Sequence, residues 1–325
     1  MTTPQPIVFL GSGAFGLPTL QHLAAHHRVL AIVTQPDKPA GRGGQLTPTP
    51  IAAWAAEHLP AVPLFKPAKV NEASVVEQVR AFPASAWVVI AFGQKLGKAL
   101  LADRFAINLH ASLLPRWRGA APINAAILAG DRETGNSVIT LADRMDAGLV
   151  LGQSKRPLDP MATAGELHDL LASDGPALVE SVLIRHASGQ QWGDAQDESL
   201  VTIAPKMTKA DGVIDFASAP ACQRRIYAFN PWPGVTMKLV LGADALDMKL
   251  LRATSANLFA PHGKHPGHVI STAEGLFACA DGTALQLLEV QPAGKRAMKW
   301  PDFARGRTIP PDARFALPVP AGGAP

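Results

Sequence analysis

Residues 7–10, Ile-Val-Phe-Leu, form a short apolar run of the buried-strand type. They lead directly into Gly11-Ser12-Gly13-Ala14-Phe15-Gly16 and a helical stretch over residues 17–25. A strand with no polar alternation needs cover on both faces, which is the condition of a strand inside a parallel sheet. The chain that follows supplies the cover. Strands are expected at residues 29–33, 87–91, 105–109 and 138–141. Helices are expected at 51–58, 70–81 and 122–129, and a long one over 166–185 closes the region. Strands alternating with helices imply βαβ units, an α/β class and a Rossmann-like, mainly parallel sheet.

The pattern then changes. Residues 189–209 have weak periodicity and several polar side chains, which suits a linker. Beyond them, short strands at 236–241, 248–253, 267–271, 276–280 and 284–290 are separated by turn signals such as Gly242-Ala243-Asp244 and Asp281-Gly282. That spacing suggests a small β-barrel or sandwich. The expected organisation is a domain over residues 1–189, a linker over 190–205, a small β-domain over 206–308 and a flexible Pro/Ala-rich tail over 309–325. A length of 325 residues, with 47% hydrophobic and 17% charged, supports two packed domains rather than disorder.

The two cysteines, Cys222 and Cys279, are isolated in sequence and make neither a zinc cluster nor a disulfide framework, which suits a reducing, cytoplasmic compartment. No basic residue precedes the first apolar run, as a signal peptide would require. The longest apolar run, residues 86–92, is too short to span a bilayer. No membrane, metal or obligatory protein partner is expected. Charge is uneven: residues 1–205 balance at −1 and residues 206–325 at +5. A neutral front and a basic back suit chemistry followed by a polyanion-binding module, although a solvated face explains a few lysines equally well.

The Gly11–Gly16 loop matches the dinucleotide fingerprint, but the acid expected at the end of the second strand is missing. Asp37 lies past that end, in Gln35-Pro36-Asp37-Lys38-Pro39. The alternative is a tight strand-to-helix turn in which glycine fits, and no NAD is expected.

A different constellation points to chemistry. Asn108 and His110 end a strand two residues apart, so they face the same way. They lie where open α/β sheets bind ligands, beyond the carboxyl ends of the strands. Asp143-Arg144-Met145-Asp146-Ala147-Gly148 leaves a later strand. An amide, an imidazole and a carboxylate converging there fit acyl transfer. One donor faces a carbonyl oxygen as it gains charge, another group manages the attacking amine's proton, and the carboxylate holds the imidazole. Each alone has a plainer reading: Asn108 as a turn cap, His110 as a core histidine, Asp146 as the start of a turn.

Asn108-Leu109-His110-Ala111-Ser112-Leu113-Leu114-Pro115 resembles the signature of the folate-dependent formyltransferases, and Asp146 falls where that family has its catalytic aspartate. The resemblance implies 10-formyltetrahydrofolate as formyl donor, its pterin near Ser112, Leu113, Leu114 and Pro115, with Asn108, His110 and Asp146 as the catalytic set. The segment from Thr34 through Asp37 and Arg42 to Gly43, Pro115–Ile123, Ala228–Pro233 and Pro292–Met298 are similar to the branch acting on methionyl initiator tRNA. That likeness implies tRNA contacts at Arg42, Lys206, Lys209, Lys295, Arg296 and Lys299, and a C-terminal barrel of the oligonucleotide-binding (OB-like) kind. The sequence departs from the family at Gly43-Gly44-Gln45, where a lysine is common, and at Ser12-Gly13-Ala14. Formyltransferases acting on sugar amines, a dehydrogenase resting on the glycine loop and a non-catalytic RNA-binding protein stay as alternatives.

Overall fold

The computed structural model describes residues 3–40, 44–256 and 262–316. In chain order the strands are β1 (Pro6–Gly11), β2 (Arg28–Val33), β3 (Lys38–Ala40), β4 (Gln45–Thr47), β5 (Leu64–Phe65), β6 (Ala86–Ile90), β7 (Ala106–His110), β8 (Arg118–Gly119), β9 (Glu133–Thr140), β10 (Val150–Pro157), β11 (Ile203–Ala204), β12 (Val235–Leu241), β13 (Asp244–Ala256), β14 (Val269–Ser271), β15 (Leu276–Ala278), β16 (Ala284–Pro292), β17 (Met298–Lys299) and β18 (Arg314–Phe315). The helices are α1 (Leu17–His26), α2 (Pro50–His58), α3 (Ala73–Arg80), α4 (Lys98–Leu101), α5 (Pro122–Ala129), α6 (Ala164–Ala187), α7 (Ala219–Ala228) and α8 (Trp300–Arg305). The chain divides into two units that interleave in sequence: residues 1–119, 133–156 and 168–203, and residues 120–132, 157–167 and 204–325.

The first unit is built on a seven-stranded sheet in the order β10-β9-β7-β6-β1-β2-β5. The strands from β5 to β7 run parallel, and β9 is antiparallel to β7. Ile7, Val8, Phe9 and Leu10 are completely buried, and all five residues of β6 are buried. This two-sided burial is what an unbroken apolar run demands. Thr49 caps α2 by accepting the Ala52 N–H, and Pro18 and Pro50 start their helices where a missing N–H costs nothing. The edge strand β10 was not expected. Its Gly-Gln-Ser-Lys centre lacks an apolar pattern because one face of it meets solvent.

The glycine loop is a packing device. A Cβ on Gly11 would lie 2.5 Å from the Phe9 ring and 2.9 Å from the Ile90 carbonyl, so glycine is what lets β1 end against β6. The Ser12 hydroxyl donates to the Phe92 carbonyl and accepts the Gln35 N–H, both at 3.0 Å, tying three strand ends together. The arms of the following loop pair as a ribbon, Lys38 opposite Thr47 and Ala40 opposite Gln45. Arg42, between those arms in sequence, lies outside the described residues.

The stretch expected as a linker instead packs on the first unit up to residue 203. The Trp192 indole donates to the Leu151 carbonyl at 2.8 Å, and Val150 and Asp194 exchange both backbone hydrogen bonds at 2.9 Å. These attachments are isolated contacts from an irregular segment, so no periodicity announces them.

In the second unit an antiparallel sheet runs β14-β15-β16-β13-β12-β18, with β17 on β16. The Val269 N–H donates to the Ala313 carbonyl and the Phe315 N–H to the Gly267 carbonyl, both at 2.9 Å, which joins the two ends of the sheet into a barrel. The unit also holds α5, bound to α7 through Asn124 donating to the Ala228 carbonyl at 2.6 Å. Cys222 and Cys279, isolated in sequence, are both buried, and their mutual interaction lowers Cys222 and raises Cys279 from the ordinary thiol range. Among the described residues no helix is long and apolar enough to cross a membrane.

Candidate active site

Strand β7 is paired on both sides, Asn108 opposite Val89 and Ile139, and His110 opposite Ser137. The alternation of strand side chains puts Asn108 and His110 on one face at the carboxyl end of the sheet. The Asn108 amide makes no hydrogen bond among the described residues and is partly exposed, so its N–H groups stay available. His110 is 7% exposed. Its Nε2 lies 2.8 Å from the Trp117 carbonyl. A carbonyl only accepts, so Nε2 carries a proton and Nδ1 is the nitrogen left to take one. Nδ1 faces Asp146 Oδ2 at 3.7 Å, too long for a hydrogen bond, and the pair becomes an ion pair only when Nδ1 takes a proton.

Asp146 reaches that place through an unusual turn. Its φ is 52°, in the left-handed region that aspartate tolerates better than most side chains. Its Oδ2 accepts the Gly119 N–H at 2.9 Å, which holds the carboxylate toward the ring. The loop closes where Thr140 and Leu149 exchange bonds, the Thr140 N–H to the Leu149 carbonyl and the Leu149 N–H to the Thr140 hydroxyl. Gly148 fits only because it lacks a side chain: a Cβ would stand 1.7 Å from the Thr140 carbonyl oxygen.

The Ser112–Pro115 turn is held from within. The Ser112 hydroxyl is fully buried and donates to the Arg116 carbonyl at 2.6 Å. Ser137 donates to the Ser112 carbonyl and accepts from the Leu114 N–H, and Gln153 donates to both Ser137 and the Leu114 carbonyl. Leu114–Pro115 is a cis peptide. The Ser112 hydroxyl thus shapes this turn, and Leu113 and Pro115 are the partly exposed members.

Sequence reasoning did not single out Arg118 or Glu198. Arg118 is 5% exposed, and its guanidinium pairs with Glu198 at 3.0 Å. Arg144 grips the same carboxylate at 2.8 Å. Hydrogen bonds from Arg118, then Arg144, hold the Glu198 carboxyl below its ordinary range. No local signal in residues 190–203 marks this role. Among the described residues no cluster of three or more His, Cys, Asp or Glu is arranged to hold a metal.

In the second unit Lys206, Lys209, Lys295, Arg296 and Lys299 are exposed. Lys295 and Arg296 occupy the β16–β17 turn, and Lys299 leads into α8. The same segment's Arg305 is paired with Asp302, and Arg307 sits over the Phe303 ring.

A family model described as formyl transferase matches residues 6–183, and one described as formyl transferase, C-terminal domain, matches residues 206–308. This chain belongs to the formyl transferase family. Within it, the chain is 41% identical over 309 residues to a methionyl-tRNA formyltransferase of Methylococcus capsulatus, covering 93% of this chain and 97% of that one. It is 39% identical over 318 residues to one of Symbiobacterium thermophilum, covering 96% and 95%. Solved structures share the family fold at low identity. An N-formyltransferase from Helicobacter canadensis, in complex with folinic acid and dTDP-3-aminofucose, aligns with a TM-score of 0.64 and 13% identity, covering 89% of this chain and all of that one. HypX from Aquifex aeolicus, in complex with tetrahydrofolic acid, aligns at 0.60 and 16%, with 93% of this chain covering 47% of that longer one.

Proposed function

We propose that this formyltransferase moves the formyl group of 10-formyltetrahydrofolate onto the amino group of methionyl initiator tRNA. The observation that carries the reading is the His110–Asp146 contact beside the unengaged Asn108 amide at the carboxyl end of β7. The near-full-length likeness to methionyl-tRNA formyltransferases supports that substrate over a sugar amine.

The folate supplies the formyl carbonyl when bound. The residues present fit it: a spare amide donor at Asn108 and a turn with partly exposed Leu113 and Pro115 for the pterin. Asn108 donates to the carbonyl oxygen as charge gathers there, an interaction stronger in the transition state than in the ground state. His110 Nδ1 takes the proton that the attacking amine loses, Asp146 balances the ring's positive charge, and the ring returns that proton to the folate N10 as the formyl C–N10 bond breaks and tetrahydrofolate leaves. The Trp117 carbonyl fixes the ring's orientation throughout. Arg42 reads the tRNA acceptor end, while Lys206, Lys209, Lys295, Arg296 and Lys299 hold phosphates, which positions the tRNA without reading its sequence.

The test is incubation with 10-formyltetrahydrofolate and either charged initiator tRNA or a nucleotide-linked amino sugar, assaying the formylated product. Formylmethionyl-tRNA is expected. Formylation of the sugar alone would overturn the tRNA reading and keep the formyltransferase one.

A further inference from the structure

We propose that Gln196 is a positioning residue of this site, holding the Asp146 turn so that the carboxylate faces His110. The inference rests on the reading of Asp146 given above. Gln196 lies between the two family matches, so neither includes it.

All of the Gln196 amide is engaged. Its Nε2 donates to the carbonyls of Asp146 at 2.7 Å and Gly148 at 2.8 Å. Its Oε1 accepts the Arg118 Nε–H at 2.9 Å. The opposite amide orientation would set an oxygen against two carbonyl oxygens and an NH₂ against a guanidinium, so the network fixes the amide as it stands.

The carbonyls it binds belong to the turn that needs support. Asp146 holds a positive φ, which costs energy for any residue with a Cβ. Such turns persist where their surroundings over-determine them, and Gln196 supplies two bonds to this one. Arg118 links it to the other side of Asp146. Its backbone N–H donates to the Thr202 carbonyl at 2.9 Å, and the next residue, Gly119, donates to the Asp146 carboxylate. Glu198 grips both Arg118 and Arg144, two residues before Asp146. Residues 196–202 therefore clasp the main chain of the Asp146 turn and the amide that aims its carboxylate. Gln196 touches neither reacting atom, and its effect passes through Asp146.

The experiment measures kcat and KM for formyl donor and tRNA in wild type, Gln196→Met, Gln196→Glu, Asp146→Asn and the double variant Gln196→Met/Asp146→Asn. Methionine keeps the side chain's length and removes its hydrogen bonds. Displacing a catalytic group by about an ångström costs on the order of 10²-fold. Gln196→Met is expected to lose about 10- to 100-fold in kcat, with both KM values within about twofold of wild type. Gln196→Glu keeps the Arg118 contact but cannot donate to two carbonyls, so it is expected to be as impaired as Gln196→Met. In the Asp146→Asn background, Gln196→Met is expected to cost nothing further, because no carboxylate remains to be aimed. A near-normal kcat in Gln196→Met, a fully active Gln196→Glu, or an equal fold-loss in both backgrounds would overturn the proposal. If Gln196→Met does not fold, Gln196→Glu decides by the same kcat criterion. A fully active Asp146→Asn would instead bring down the reading of Asp146 itself.

Discussion

His110 and Asp146 meet through Nδ1 and Oδ2 at 3.7 Å, while the opposite ring nitrogen is spent on the Trp117 carbonyl. The imidazole thus has one nitrogen fixed by a hydrogen bond and one left open. The carboxylate stands close enough to balance charge without removing Nδ1 from use.

On the roles proposed above, with His110 and Asp146 acting on the proton and Asn108 on the oxygen, their removal should show in turnover before stability. His110→Ala and Asp146→Ala are expected to lower kcat by roughly 10²–10⁴-fold, and Asn108→Ala by about 10²–10³-fold. Steady-state kinetics beside thermal unfolding checks this. Near-normal kcat in any of the three removes that residue from the set.

Gly148→Ala should damage the same site by a different route. A methyl group 1.7 Å from the Thr140 oxygen cannot be housed without opening the loop base. Forced overpacking of this kind costs about 1–3 kcal/mol. A lower unfolding midpoint together with a lower kcat is expected, and unchanged values of both would show that the loop closes elsewhere.

The proposed tRNA contacts divide into two experimental classes. Arg42→Ala should reduce discrimination between initiator and elongator methionyl-tRNA, with about 1–3 kcal/mol lost for the correct substrate. Neutralising Lys295 and Arg296 should weaken both tRNAs alike and flatten the salt dependence of binding. The comparison is kcat/KM for both tRNAs over a range of salt. An equal slowing of both by Arg42→Ala would take selection away from that residue.

Glu180 sets a pH dependence of stability in the first unit. Burial alone would raise its carboxyl, but hydrogen bonds from His27 and His22 outweigh that and leave it below the ordinary range. The Gln5 N–H donates to His27 Nδ1 at 3.2 Å, so Nε2 bears the proton given to Glu180 at 2.7 Å. A depressed folded value contributes stability that is present above the ordinary carboxylate range and is lost as pH falls through the folded value. Glu180→Gln is therefore expected to be less stable than wild type at neutral pH, by about 1.5–3 kcal/mol for a charged hydrogen bond. The gap should narrow as pH falls below the ordinary carboxylate range. Urea midpoints at several pH values measure it, and a gap that persists in acid would assign the effect to shape rather than charge.

Much of this was legible in the residues themselves. Periodicity announced the parallel sheet, because strands covered on both faces must be apolar throughout, as residues 7–10 and 86–90 are. The two-residue repeat of a strand put Asn108 and His110 on one face before any fold was known. Turn chemistry marked the strands of the second unit, and the resemblance around residues 108–115 named the chemistry.

Local pattern carries no information about what meets across the chain, and there tertiary structure decided. It set Asp146 against Nδ1 rather than Nε2, and it spent the Ser112 hydroxyl inside its own turn. It closed the barrel through β18, a two-residue strand with no periodicity to read, and brought Cys222 beside Cys279. It also bound residues 190–203 to the first unit, where Gln196 and Glu198 look like solvated polar residues until their carbonyl and guanidinium partners arrive from elsewhere. Strand and helix periods are properties of neighbouring residues. Hydrogen-bond partners distant in sequence are properties of the packed chain.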